Sequence, residues 1–245
     1  MKNARSDRPL DPRTASARWI GVLFLAGFLS YGTGFALVSS VSGAPHFLSG
    51  VPARHTTLLL GAFLMLLNSV VDIGKGVLFF PILDKHSRRI ALTYLATMIV
   101  EVVLLALGVL CLLMLVPLAA HAAPGEGLPQ LLGSLAVESN SMAYQVAEML
   151  LGLGCLFLCA LLFQARLLPR WLSAWGWLGY AVLSAGTIAE ICGLHIGLAC
   201  SIPGGLFEIT LGVWLIIKGF EPPIPALNLI PSPPSPPHPP SSRTL

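Results

Sequence analysis

The run from Ile90 to Pro117, IALTYLATMIVEVVLLALGVLCLLMLVP, decides the fold. Its 28 positions hold one charged residue, Glu101. A bilayer's hydrocarbon core, about 30 Å thick, asks for roughly 20 consecutive apolar residues of helix. This run meets that demand. The same pattern recurs on both sides of it, at Trp19–Val41, Thr57–Leu83, Met142–Phe163, Leu172–Gly197 and Cys200–Phe220. The reading is an all-α, polytopic membrane protein, a six-transmembrane-helix bundle. Composition agrees: of 245 residues 55% are hydrophobic and only 10% charged, with a mean hydropathy of +0.81. Soluble domains carry about a quarter charged residues. That deficit excludes an ordinary soluble protein, a disordered chain, and a nucleic-acid binder that relies on a basic surface. Five cysteines in so apolar a chain do not read as a secreted disulfide framework.

Three parts follow. Residues 1–18 form a basic arm, 19–220 a membrane domain and 221–245 a proline-rich tail. The arm carries Lys2, Arg5, Arg8, Arg13 and Arg18. The apolar stretch after it exceeds the 7–15 residues usual for a signal peptide and ends at no clear small-x-small cleavage site, so it reads as an uncleaved first span. Lys and Arg concentrate on the cytoplasmic side of membrane proteins. With the amino end inside, the arm, Lys85, Arg88, Arg89, Arg166, Arg170, Lys218 and Arg243 all fall inside, which is 12 of the 14 basic residues. Arg54 alone falls outside, and Lys75 lies within a span. The expected topology is therefore N-in/C-in, with both termini cytoplasmic.

The largest outer connection, Leu118–Ser141, contains Pro124, Gly125, Gly127 and Pro129, then the apolar run Leu131–Ala136. That run is too short to cross and reads as an interfacial turn of helix. Trp171, Trp175 and Trp177 cluster at the inner end of the fifth span, at headgroup level. The tail holds ten of the chain's 20 prolines and favours extended polyproline II. A solvated, dispensable segment is the favoured reading of it; the other is a ligand for a proline-recognising protein partner.

Five of the eleven acidic residues fall within spans: Asp72, Glu101, Glu148, Glu190 and Glu208. Exposed to lipid as ions, they would cost on the order of 15 kcal/mol together. They must face protein, face water or carry a proton. Residues at i, i+3, i+4 and i+7 share a helix face. Asn68, Asp72 and Lys75 align on the second span, and Tyr94, Thr97, Glu101 and Gly108 on the third. Gln145, Glu148, Gly152, Cys155 and Cys159 align on the fourth. Gly186 and Glu190 align on the fifth, and Gly204, Glu208 and Gly212 on the sixth. Small residues mark helix contacts in membranes, so every acid is expected to point into the bundle. The candidate polar site is Asp72, Lys75, Glu101, Glu148, Glu190 and Glu208, supported by Asn68, Tyr94, Gln145 and His195. Its two readings are a place for a proton, cation or small cationic ligand, and a set of interhelical hydrogen bonds with a local Asp72–Lys75 ion pair.

Cys155 and Cys159 read as packing residues. Cys192 and Cys200 flank a tight outer turn and are either free or bridged. No Walker loop, H-E-x-x-H, G-x-S-x-G or dinucleotide fingerprint occurs. No catalytic residue, metal site or cofactor is expected.

Several stretches resemble one family. They are Asn68-Ser-Val-Val-Asp-Ile-Gly74, Pro81-Ile-Leu-Asp-Lys-His-Ser-Arg-Arg89 running into Ile99-Val-Glu101, Leu168-Pro-Arg-Trp171 through Gly176-Trp-Leu-Gly-Tyr180, and Ile202-Pro-Gly-Gly-Leu-Phe-Glu208 through Trp214 to Lys218-Gly-Phe220. Together they look like the bacterial multi-pass membrane proteins grouped as domain of unknown function 4386, over about residues 19–221. The resemblance implies a small integral protein of the bacterial inner membrane and makes Asp72, Glu101, Pro203, Gly204, Gly205 and Glu208 motif positions. This chain departs from the pattern at Met98, where the family carries a base, and at Lys75 and Glu148, which the pattern lacks.

Three functions compete. A non-catalytic membrane scaffold or sensor is slightly favoured from the sequence. The alternative is an ion-coupled or small-molecule carrier that uses the buried acids. An intramembrane enzyme comes third, with no nucleophile–base spacing to support it.

Overall fold

The computed structural model describes residues 12–44, 46–122, 127–194 and 196–221. Seven α-helices account for most of them: α1 (Pro12–Ser42), α2 (His55–Leu83), α3 (Arg88–Leu113), α4 (Leu115–His121), α5 (Gly127–Gln164), α6 (Arg170–Ile191) and α7 (Gly197–Ile217). Two short 3-10 turns, Phe47–Gly50 and Pro52–Arg54, link α1 to α2. There is no strand among the described residues. Local chemistry sets several of these boundaries. Pro12 opens α1, where a missing N–H costs nothing. Ser87 caps α3, its Oγ accepting from Ile90 N at 3.4 Å. Gly219 follows α7 with φ +72°, the left-handed turn that glycine makes without strain.

Several helix ends differ from the apolar runs. Helix α1 begins at Pro12, so residues 12–18 of the expected arm are its first two turns. The third span is split, α3 breaking at Met114 and continuing as α4. The largest change concerns the outer connection. From Gly127 onward it is the first part of α5, a single helix of 38 residues that contains Leu131–Ala136. Pro129 falls in the first turn, where proline is tolerated, and Glu138 to Ser141 interrupt the hydropathy without interrupting the helix. At 1.5 Å per residue α5 is about 57 Å long, far more than the hydrocarbon core needs. Helix α6 ends six residues before the expected Gly197, and α7 begins there. The arm before Pro12 and the tail beyond Glu221 lie outside the described residues.

Six long helices close into a ring in the order α1, α2, α3, α5, α6, α7 and back to α1. Neighbours approach through glycine. A Cβ on Gly34 of α1 would stand 2.7 Å from the Gly61 carbonyl oxygen of α2, and one on Gly61 would stand 2.8 Å from that of Gly34. Gly179 of α6 faces Gly204 of α7 in the same way, and Gly21 of α1 lies against Gly212 of α7 and closes the ring. Small residues let backbones reach this distance, and contact over the whole helix length then supplies the attraction.

The outer surface is apolar. Leu29, Val70, Phe63 and Ile217 are all more than 60% exposed, which is what acyl chains rather than water require. Five segments are long and apolar enough to cross a membrane: those built on α1, α2, α3 with α4, α5, and α7. The chain is a multi-pass membrane protein. Helix α6, whose tryptophans, glycines and hydroxyls lower its hydropathy, packs between α5 and α7.

Inside the ring, two apolar clusters stand one above the other. One, at the amino end of α1, includes Phe24, Phe79, Tyr94, Leu162, Tyr180, Phe207 and Leu215, and so draws on all six long helices. The other, at the far end, runs through Val38, Leu58, Met65, Val109 and Leu115, with no residue of α6 or α7. Between them lie most of the buried polar groups.

Candidate functional site

The polar layer surrounds a cavity of about 210 Å³ whose walls come from all six ring helices. Four acids line it, each from a different helix: Asp72 of α2, Glu101 of α3, Glu148 of α5 and Glu208 of α7. Lys75 and Asn68 complete its polar wall on α2. Each residue sits near the middle of its helix, at the depth where ionised side chains are costly against lipid. The remaining wall combines Phe24, Phe28, Leu105, Leu151 and Leu183 with Tyr31, Tyr144 and Ser201.

One side of the cavity is internally paired. Lys75 Nζ lies 2.7 Å from Asp72 Oδ1 one helical turn away. Asn68 Nδ2 donates to Asp72 Oδ2 at 2.6 Å, and Ser30 Oγ of α1 reaches Asn68 Oδ1 at 3.5 Å. The Lys75 ammonium also sits 4.8 Å from the centroid of the Phe24 ring, a cation–π distance. At the α7 wall, Tyr180 OH donates to Glu208 Oε1 at 2.7 Å.

The side formed by α3 and α5 is different. Glu101 is 4% exposed, and its Oε2 is buried with no hydrogen-bond partner. Glu148 faces the same space one turn from Tyr144. The Tyr144 ring stacks on that of Tyr31 at 5.6 Å between centroids, 21° from parallel. Helices α1 and α5 are not neighbours in the ring, so this pair bridges it from opposite sides. Tyr31 lies one turn from Gly27 toward the carboxyl end of α1, and Tyr144 one turn from Glu148 toward the amino end of α5. The two rings therefore roof the acids at that end.

Glu190 stands apart from the cavity. Its Oε2 accepts from Gly197 N at 2.7 Å, so it caps the first turn of α7. Tyr94 packs edge-on to Phe79 at 5.5 Å within the apolar cluster and is not part of the cavity wall. Gln145 is not part of it either; its Oε1 is buried without a partner. His195 lies outside the described residues. All five cysteines are free thiols. Cys155 and Cys159 pack in the core, and Cys200 fills the hollow beside Gly186.

Composition and spacing did not single out Tyr31, Tyr144 and Tyr180. A signal for them was present. Tyrosine in membrane helices favours the interface, and one placed mid-span must find a partner for its hydroxyl. Tyr180→Phe is expected to lower stability in detergent by about 1 kcal/mol, because Glu208 Oε1 loses its donor in a half-buried place. Thermal melting measures this, and an unchanged melting temperature would show that the bond carries no weight.

No curated protein and no solved structure matches the chain. A family profile, Domain of unknown function (DUF4386), matches residues 19–219. With most of its length covered, this chain belongs to the DUF4386 family.

Proposed function

We propose that the protein is a carrier of the bacterial inner membrane whose chamber receives a small positively charged solute or a coupling proton. One observation carries this reading: Asp72, Glu101, Glu148 and Glu208 come from four helices to a single cavity with only Lys75 to balance them. A scaffold needs no such cavity. Four acids that served only as interhelical bonds would sit in separate dry contacts. Plugging is also unequal. The apolar cluster at the amino end of α1 is built by every ring helix, whereas the far cluster lacks α6 and α7. Such a chamber is closed at one end and more loosely closed at the other, the asymmetry that alternating access requires.

The proposed topology has six spans with both termini cytoplasmic. Helix α6 is 22 residues long, about 33 Å, and its place between α5 and α7 supports a sixth crossing. Alternation around the ring brings Arg18, Lys85, Arg88, Arg166, Arg170 and Lys218 to one end, the end that the charge rule places inside. The chamber is then plugged toward the cytoplasm.

The test uses full-length protein in liposomes, with a pH-sensitive dye reporting proton flux and radiolabelled guanidinium, a permanent cation with N–H donors, reporting cation uptake. Wild type is expected to show at least one of the two. Glu101→Gln and Glu208→Gln are expected to lose it by about tenfold or more while remaining monodisperse. Empty-liposome rates for the wild type in both assays, or full rates in both variants, would overturn the carrier reading.

A further inference from the structure

The chamber's chemistry narrows what it would hold, and this step rests on the carrier reading above. Its volume of about 210 Å³ exceeds the ~150 Å³ cavity that admits benzene and falls below the ~300 Å³ at which drug-sized pockets begin. A solute of several heavy atoms fits. Hard inorganic cations prefer a close shell of about six to eight oxygens. Here five phenylalanine and leucine side chains stand among the polar groups of the wall, and among the described residues no three His, Cys, Asp or Glu side chains stand together as a metal-holding group.

Within the same cavity the protein shows how an ammonium is accommodated. Lys75, a primary ammonium on an alkyl stem, is held by the Asp72 carboxylate with an aromatic ring at its side. Asp72 is satisfied by Lys75 and Asn68, and Glu208 receives Tyr180. Glu101 and Glu148 are left, and Glu101 is the more buried. It is almost wholly buried, it borders the open space, and one of its oxygens accepts from nothing. A buried carboxylate short of donors is costly, so Glu101 is the place where a ligand N–H gains most.

We propose that the chamber binds small primary organic ammonium ions, the –NH3⁺ donating to the Glu101 carboxylate beside Glu148, with the apolar body along Leu105 and Leu151 beneath the Tyr31–Tyr144 pair. A primary ammonium offers three donors. A trimethylated one offers charge without a donor, and an alcohol offers a donor without charge. A site built around a buried acceptor separates these analogues strongly.

Calorimetry on the full chain in lipid nanodiscs tests this with phenethylamine, N,N,N-trimethylphenethylammonium and phenethyl alcohol. Phenethylamine is expected to bind saturably, and each analogue about tenfold or more weaker. Glu101→Gln should abolish binding with its melting temperature retained, and Glu101→Asp should restore part of it. Where Glu101→Gln does not fold, the ranking of the three compounds on wild type decides. Affinity of either analogue equal to that of phenethylamine, absence of phenethylamine binding, or undiminished binding by a folded Glu101→Gln would overturn the inference. Proton flux or guanidinium uptake that is lost in the glutamine variants, without phenethylamine binding, would remove this ligand class and leave the carrier reading intact. Inactivity in every assay would remove both.

Discussion

Lys75→Met is expected to destabilise the bundle by about 3–5 kcal/mol, the loss that follows when one partner of a buried ion pair is removed and the other charge stays. The Lys75 and Asp72 side chains are 9% and 3% exposed, so water cannot take over from the ammonium. Asn68 would remain as a donor to Asp72 Oδ2, and the oxygen that Lys75 held would keep none. The double variant Asp72→Asn/Lys75→Met removes both charges together and should recover most of the loss, because a neutral amide asks far less of its surroundings. Thermal melts in one detergent across the four-member cycle measure the coupling. If Lys75→Met melts with the wild type, the pair is not a structural bond of this layer.

The second large effect is steric. Gly21→Val should cost about 3 kcal/mol, the upper end of the range for overpacking. The new Cβ would run into the Gly212 carbonyl oxygen and stand 2.9 Å from Ile216 Cγ1. A backbone carbonyl inside a helix cannot rotate away, so α1 and α7 must separate. This contact closes the ring, and Phe28 of α1 and Gly205 of α7 line the chamber farther along the same two helices. The variant should therefore melt early and also lose ligand binding. Gly32→Ala is the control on the same helix. Nothing lies within 4 Å of its added Cβ, so the better helix propensity of alanine should leave stability unchanged or raise it by up to about 1 kcal/mol. Equal behaviour of the two variants would show that the α1–α7 approach is not tight.

Hydropathy located the crossing helices because the bilayer selects for an apolar exterior at every exposed position, and Leu29, Val70 and Ile217 are such positions. It misjudged α5 for the same reason. Glu138, Ser139, Asn140 and Ser141 signal a departure from the hydrocarbon, yet a helix can leave the hydrocarbon and remain a helix. The 3.6-residue period indicated which face each acid occupies, and for Asp72, Glu101, Glu148 and Glu208 that face is the cavity. It failed to separate Glu190 from them, since a face says nothing about depth, and near the end of its helix a carboxylate meets the N–H groups of the next helix before it meets a chamber.

What the sequence by itself determined is the membrane class, the helical content and the inward direction of the acids, all of them consequences of the transfer cost of single side chains. Pairing was decided only by the tertiary structure. Residues 28 positions apart in Tyr180 and Glu208, or more than a hundred apart in Tyr31 and Tyr144, meet because the order of helices around the ring and their glycine contacts set the angle and height of each one. Those quantities are collective. No local pattern encodes them, and the unpaired oxygen of Glu101 becomes visible only once every neighbour has been placed.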